Sequence, residues 1–259
     1  MNKLMSLIAF CFPGILFAQE NLSYERKMSA YTDSVSKKFG VIFNIPDKFT
    51  DLNIFYIPWK VRMDDAKYIG SVYGPIFLSN DKQCILMYPA QPWYVSKEDR
   101  EIYIKTAAIN DIMNNTTTSV ESQGTMNNSF PRSQITAEIK TALGLYYGYG
   151  HPLNNDSARM DFNGYVTIVA GKKAREMFNA DSIYIYDIPG GDSVCFLDES
   201  LEKMRKDIYL YCTGLFIIKK DRGTIDIKLL FTKEGKKRED EYINLLSKQI
   251  WYDDNFKHE

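Results

Sequence analysis

From Thr224 to Leu229 the chain alternates strictly. Ile225, Ile227, Leu229 and Phe231 fall on one side of an extended backbone, and Thr224, Asp226 and Lys228 fall on the other. Only a β-strand places every second residue on the same face, so this period of two demands a sheet. The expectation is one apolar, buried face and one wet face that carries the charges. Residues 208–218, rich in aromatic and β-branched side chains, read as the preceding strand. Asp221-Arg222-Gly223 supplies the turn between the two. Beyond Gly235 the period changes: Tyr242, Leu246 and Ile250 are four apart, and Ile243 precedes Leu246 by three. That spacing predicts a C-terminal amphipathic helix packed on the apolar face of the hairpin.

The rest of the chain is read from the same two periods. A helix is expected over 20–39, strands over 41–45 and 54–57, the second closed by Pro58-Trp59, and a hairpin formed by 76–78 and 84–88. Ser96 with Asp99 resembles a capping box opening a helix through Ile102, Ile109, Ile112 and Met113. Residues 110–130 are polar and read as a surface loop. Ser133 can cap a second helix through Ile135, Ile139, Leu143 and Tyr146, ended by Gly148, Gly150 and Pro152. Residues from about 96 to 162 thus form a helical insertion. Strands follow at 164–169, 183–186 and 194–197, with helices at 172–178 and 200–206. The fold class is α+β: a mostly antiparallel β-sheet with helices packed on one face, the insertion, and the closing helix, as one domain over 19–259.

The first eighteen residues read as a signal peptide. Lys3 precedes an apolar stretch, 4–17, broken by Pro13-Gly14, and Ala18 offers a small residue for cleavage. The stretch is short of the roughly 20 residues a spanning helix needs, so no transmembrane anchor is expected after cleavage. Phe10 before Cys11 does not fit a lipoprotein signal. Export to the periplasm or exterior of a Gram-negative bacterium is the expectation. The chain carries 32 Lys and Arg against 33 Asp and Glu, and cleavage would remove one lysine. A near-neutral chain lacks the basic footprint of nucleic-acid binding.

Histidine occurs only at 151 and 258 among the 259 residues, which leaves too few imidazoles for a zinc hydrolase; no metal and no cofactor is expected. No serine or cysteine nucleophile motif and no phosphate loop is present. The acidic pairs Asp64-Asp65 and Asp253-Asp254 read as solvated turns. After cleavage three cysteines remain, Cys84, Cys195 and Cys212. Cys195 and Cys212 lie in strand-like runs and are the candidate disulfide; buried free thiols are the alternative. Tyr146, Tyr147 and Tyr149 with His151, and Tyr184 with Tyr186, are the candidate binding surface for a carbohydrate or peptide, because aromatic faces bury area and still offer a hydroxyl. Alternating tyrosines that simply cover a sheet are the other reading. Asp-Ser-apolar triplets at Ser34, Ser157, Ser182 and Ser193 resemble an O-glycosylation signal of exported bacterial proteins.

Phe43-Asn44-Ile45-Pro46-Asp47-Lys48-Phe49, together with the terminal hairpin and helix, resembles the Mog1/PsbP/DcrB-like arrangement, in which a strand leads into an Ile-Pro-x-x-Phe/Trp segment. The insertion departs from it. The resemblance implies docking on a partner complex or membrane assembly, and it carries over no catalytic residue. The expected function is therefore a non-catalytic, exported binding or accessory protein with a protein partner in the cell envelope. The alternative is a carboxylate-dependent hydrolase acting on envelope glycans or peptides.

Overall fold

The computed structural model describes residues 24–54, 57–62, 67–89, 135, 138–139, 162–188, 194–196, 202–203, 207–220, 222 and 224–257. The expectations for 1–18, the first insertion helix and its polar loop, Tyr146, Tyr147, Tyr149, His151, Ser157 and Ser193 lie outside them.

Helix α1 (Tyr24–Phe39) opens the described chain. Its Tyr31, Val35 and Phe39 recur at helical spacing and are buried. The strands that follow are β1 (Val41–Phe43), β2 (Phe49–Asp51), β3 (Ile57–Arg62), β4 (Lys67–Ser79) and β5 (Cys84–Pro89). Next come β6 (Val166–Ala170), helix α2 (Lys172–Phe178), β7 (Ser182–Ile188), β8 (Val194–Phe196), β9 (Tyr211–Ile218) and β10 (Ile225–Phe231). Helices α3 (Lys233–Lys236) and α4 (Glu239–Leu246) precede a last strand, β11 (Ile250–Tyr252). One sheet runs in the order β6-β7-β9-β10-β5-β4-β3-β8, with β2 also on β4, and β1 and β11 form a separate ribbon. Every described pairing is antiparallel, so the chain is of the α+β class.

Strand β10 sits inside this sheet, and all seven of its residues are buried. Ile225, Ile227, Leu229 and Phe231 enter a core with Tyr31, Val35 and Phe39 of α1, Ala174 and Phe178 of α2, and Tyr242, Ile243 and Leu246 of α4. The opposite face is not wet. It carries a second core that includes Tyr73, Ile76, Met87, Tyr184, Tyr186, Phe216 and Leu230, covered by Ile135 and Ile139, both in helical conformation. Helices therefore cover both faces, because apolar residues also line the side that the charges of β10 had marked as solvent.

The closing helix is shorter than the spacing suggests. It ends at Leu246, and Ile250 lies in β11 opposite Phe43, with Tyr252 opposite Val41. A strand of three residues is too short to declare a period, so Ile250 continued the helical stripe by accident of spacing. The Tyr252 hydroxyl donates to the Ile217 carbonyl at 3.0 Å, and the Asn179 amide at the end of α2 donates to the Tyr252 carbonyl at 2.7 Å. These bonds tie the last strand to the sheet and to α2. Of the strand expected at 54–57 and closed by Pro58-Trp59, Ile57 opens β3 and Pro58 and Trp59 lie within it, while 55–56 fall outside the described residues. Pro58 fits inside β3 because pairing with β8 covers only Trp59 to Val61, one residue beyond it. Among the described residues no helix is long and apolar enough to cross a membrane.

Phe231 is fully buried, with the Tyr242 ring 5.6 Å away and the Lys236 ammonium over its face. Phe231→Ala is expected to cost about 3–5 kcal/mol, as for other emptied aromatic sites. The measurement is urea unfolding: the midpoint falls and the slope stays unchanged.

Candidate functional site

The strand period brings Asp226 and Lys228 to the same face of β10, and that face is the second core. Lys228 is 0% exposed and Asp226 1%. An ammonium in such a place needs every proton matched. Its Nζ donates to Asp226 Oδ1 at 2.6 Å and to the Tyr186 hydroxyl at 2.6 Å, and it lies 3.0 Å from Glu138 Oε2. Three donors meet three acceptors. The Tyr186 hydroxyl donates in turn to Glu138 Oε2 at 2.7 Å, and Tyr73 donates to Asp226 Oδ2 at 2.8 Å. The Tyr186 and Tyr73 rings also flank the ammonium, 5.0 and 5.8 Å from it to the ring centres.

Sheet register explains why these groups meet. Tyr186, Gly214 and Lys228 stand opposite one another on β7, β9 and β10. A Cβ on Gly214 would lie 2.2 Å from the Tyr186 ring. The missing side chain is therefore what lets the phenol lie across β9 and reach the lysine. Glu138 is the one member of the cluster outside the sheet. It comes from the helical turn whose Ile135 and Ile139 pack on the second core, and its side chain is 12% exposed.

The electrostatics make this a holding site. Burial drives the Lys228 amine down, but the Asp226 and Glu138 carboxylates outweigh it and keep the amine above its ordinary range. Burial pushes the Asp226 carboxyl up to about 6 against the pull of Lys228, with Glu138 adding to the rise. Both directions hold together because one cation faces two acids. Burial, then Glu138 and Asp226, put the Tyr186 phenol far above its usual range, so it remains a donor. A nucleophilic or basic lysine needs the reverse shift. Burial also raises both described free thiols, Cys84 strongly and Cys212 to about 12, so neither is an activated nucleophile.

Two further charged groups fix loops. At the β4–β5 turn, Asp81 accepts from Ser79 Oγ (2.7 Å), the Gln83 backbone N–H (3.2 Å), Arg238 Nη1 (2.9 Å) and the Tyr242 hydroxyl (2.8 Å). Burial opposes ionisation there, but these donors, Ser79 first, hold the carboxyl down at about 2. On the first-core face, Lys236 Nζ donates to Asp187 Oδ1 (2.5 Å), Thr213 Oγ1 (2.7 Å) and Glu239 Oε2 (2.7 Å).

The residues singled out from the sequence fall as follows. Tyr184 and Tyr186 are 8% and 1% exposed, so they line a core and present no docking surface. The strand pattern had placed them on one face correctly but could not say that a second layer covers it. Cys212 is a free thiol on β9, and Cys195 belongs to β8 with four strands between, so the two do not form a disulfide. Ser34, in α1, and Ser182, in β7, are each half-buried. Among the described residues no group of three or more His, Cys, Asp or Glu is arranged to hold a metal ion. Sequence reading missed Glu138, Asp226 and Lys228; the one available signal was two opposite charges at i and i+2 inside a strand otherwise apolar on both sides. No protein-family model, curated protein or solved structure matches this chain.

Lys228→Met would leave two buried carboxylates without a cation and is expected to cost about 3–5 kcal/mol. Adding Asp226→Leu and Glu138→Leu should restore most of the loss, since the cost lies in the orphaned charges; urea midpoints of both variants check this. Asp81 has a lowered folded pKa, so its contribution is present above the ordinary carboxylate value of 3.8 and fades as pH falls towards about 2. Asp81→Asn should therefore be less stable than wild type at pH 7, and the gap between their melting temperatures should narrow from pH 4 to pH 2.

Proposed function

We propose that the protein is a non-catalytic binding or accessory protein of the bacterial cell envelope, exported with removal of residues 1–18. The observation that carries this reading is a cluster of exposed apolar side chains where β9 begins. Ile208, Leu210 and Tyr211 are 50%, 53% and 40% exposed, while Tyr209 between them is buried and donates to the Lys82 carbonyl at 2.8 Å. That bond and the burial of Tyr209 hold a short segment so that its neighbours face outward, as an anchor for a partner surface requires. The ion cluster supports the same reading from the other side. Its two convergent carboxylates are of the kind a hydrolase would use, but both are committed to one lysine and two phenols. The resemblance to Mog1/PsbP/DcrB-like proteins, the helical character of residues 96–162 and the amphipathic spacing at the C-terminus belong to this proposal as well.

The test is cross-linking in intact cells, followed by capture of the tagged protein and mass spectrometry. Leu210→Asp is expected to lower recovery of the cross-linked partner at least fivefold while the melting temperature stays within a degree or two of wild type. The same spectra should give Gln19 as the first residue. A partner recovered equally by wild type and Leu210→Asp would move the interface elsewhere, and no partner above background would remove the accessory reading.

A further inference from the structure

The sheet's share of the buried cluster is electrically neutral without Glu138. Lys228 and Asp226 form a neutral pair on β10, Asp226 Oδ2 accepts from Tyr73 on β4, and the Tyr186 hydroxyl on β7 accepts from the lysine. Glu138 arrives as a second carboxylate on the same ammonium. With all three ionised the docked site holds one unbalanced negative charge in a place almost closed to water, and such a charge is costly. The remaining groups that face it do not cancel it. From β9 the nearest titratable side chain is the Cys212 thiol, kept neutral by burial; β5 presents Ile85 and Met87; and the Tyr73 and Tyr186 phenols are neutral donors. Lys236 lies on the other side of the sheet, engaged with Asp187, Thr213 and Glu239.

We propose that docking of Ile135, Glu138 and Ile139 onto the second face of the sheet, which brings a second carboxylate to the Lys228–Asp226 pair, takes up one proton at Asp226, so that mild acid tightens this contact and neutral pH loosens it. The sign follows from linkage. The docked state binds a proton that the undocked state gives up, so protons favour docking. The rise of the Asp226 carboxyl to about 6 in the docked structure, against an ordinary 3.8, sets the window. Docking strengthens as pH falls from about 7 towards 5 and levels off below the ordinary value. The contact is thereby a pH-responsive latch, in which the apolar grip of Ile135 and Ile139 is constant and the protonation of Asp226 adjusts its strength.

The experiment is hydrogen exchange of the full chain at pH 5.0 and 7.5, read by mass spectrometry and corrected for the intrinsic pH dependence of amide exchange. Peptides covering 135–139 should be about tenfold more protected at pH 5.0, the factor given by one proton held one pH unit below its midpoint. Peptides of β10 should show no such difference. Glu138→Gln and Asp226→Asn each leave one carboxylate per lysine and should abolish the pH difference, whereas Glu176→Gln, on the exposed face of α2, should leave it intact. Equal protection at the two pH values in wild type, greater protection at pH 7.5, or a tenfold difference that survives in both cluster variants would overturn the proposal. Should either cluster variant fail to fold, the other and the wild-type profile still decide.

Discussion

A charged amine at 0% exposure on a central strand is the constraint on which this architecture depends. Lys228 cannot remain on β10 unless all three of its protons find acceptors in the dry interior. That requirement reaches across β4, β7 and β10 and out of the sheet to Glu138, because Tyr73, Tyr186, Asp226 and Glu138 complete the shell. It also explains Gly214, the one position between Tyr186 and Lys228 where any side chain would block the phenol. A buried polar network of this kind contributes little net stability over a well-packed apolar core. It does penalise any other register, since a one-residue slip of β10 would strand both charges against the first core.

The two faces of the sheet are thus held by different physics. On the first, α1, α2 and α4 close over Ile225, Ile227, Leu229 and Phe231 by apolar burial, with aromatic edge-to-face contacts such as Tyr31–Phe43 and Phe43–Tyr88. On the second, a helical turn is fixed by two isoleucines and one acid. The β4–β5 turn is fixed by charge as well, through Asp81 and Arg238. Lys237 does remain exposed, pairing with Glu234 along α3, while its neighbour Lys236 is drawn down to Asp187, Thr213 and Glu239. Adjacent lysines in one run therefore take opposite roles, decided by which side of a short helix each occupies.

Much of the local structure was legible. Helix α2 has the bounds its sequence suggests, with Ala174 and Phe178 four apart and Asn179 taking a left-handed cap at φ 50°. Strands β9 and β10 and the β4–β5 hairpin were readable from β-branched runs and turn residues. Strand β4 was mostly hidden, because Gly70, Gly74 and Pro75 look like turn signals; the structure absorbs them in a long strand whose pairing shifts register between Tyr73 and Ile76. Strand β8 was readable as a strand, but its partner was not: it pairs with β3, far along the sheet from β7, its neighbour in sequence. Pairing between distant segments leaves no trace in local periodicity.

What the sequence determined by itself is the set of local periods: which residues extend, which coil, and that Asp226 and Lys228 share a face opposite Ile225 and Ile227. These follow from backbone geometry, which repeats every two or 3.6 residues whatever lies nearby. What only the tertiary structure decided is which of those faces meets water. The charges of β10 signalled solvent, and the fold placed them under Ile135 and Ile139 with Glu138 beside them. Burial is a property of what packs on a face, and the covering residues here lie some ninety positions away in the chain.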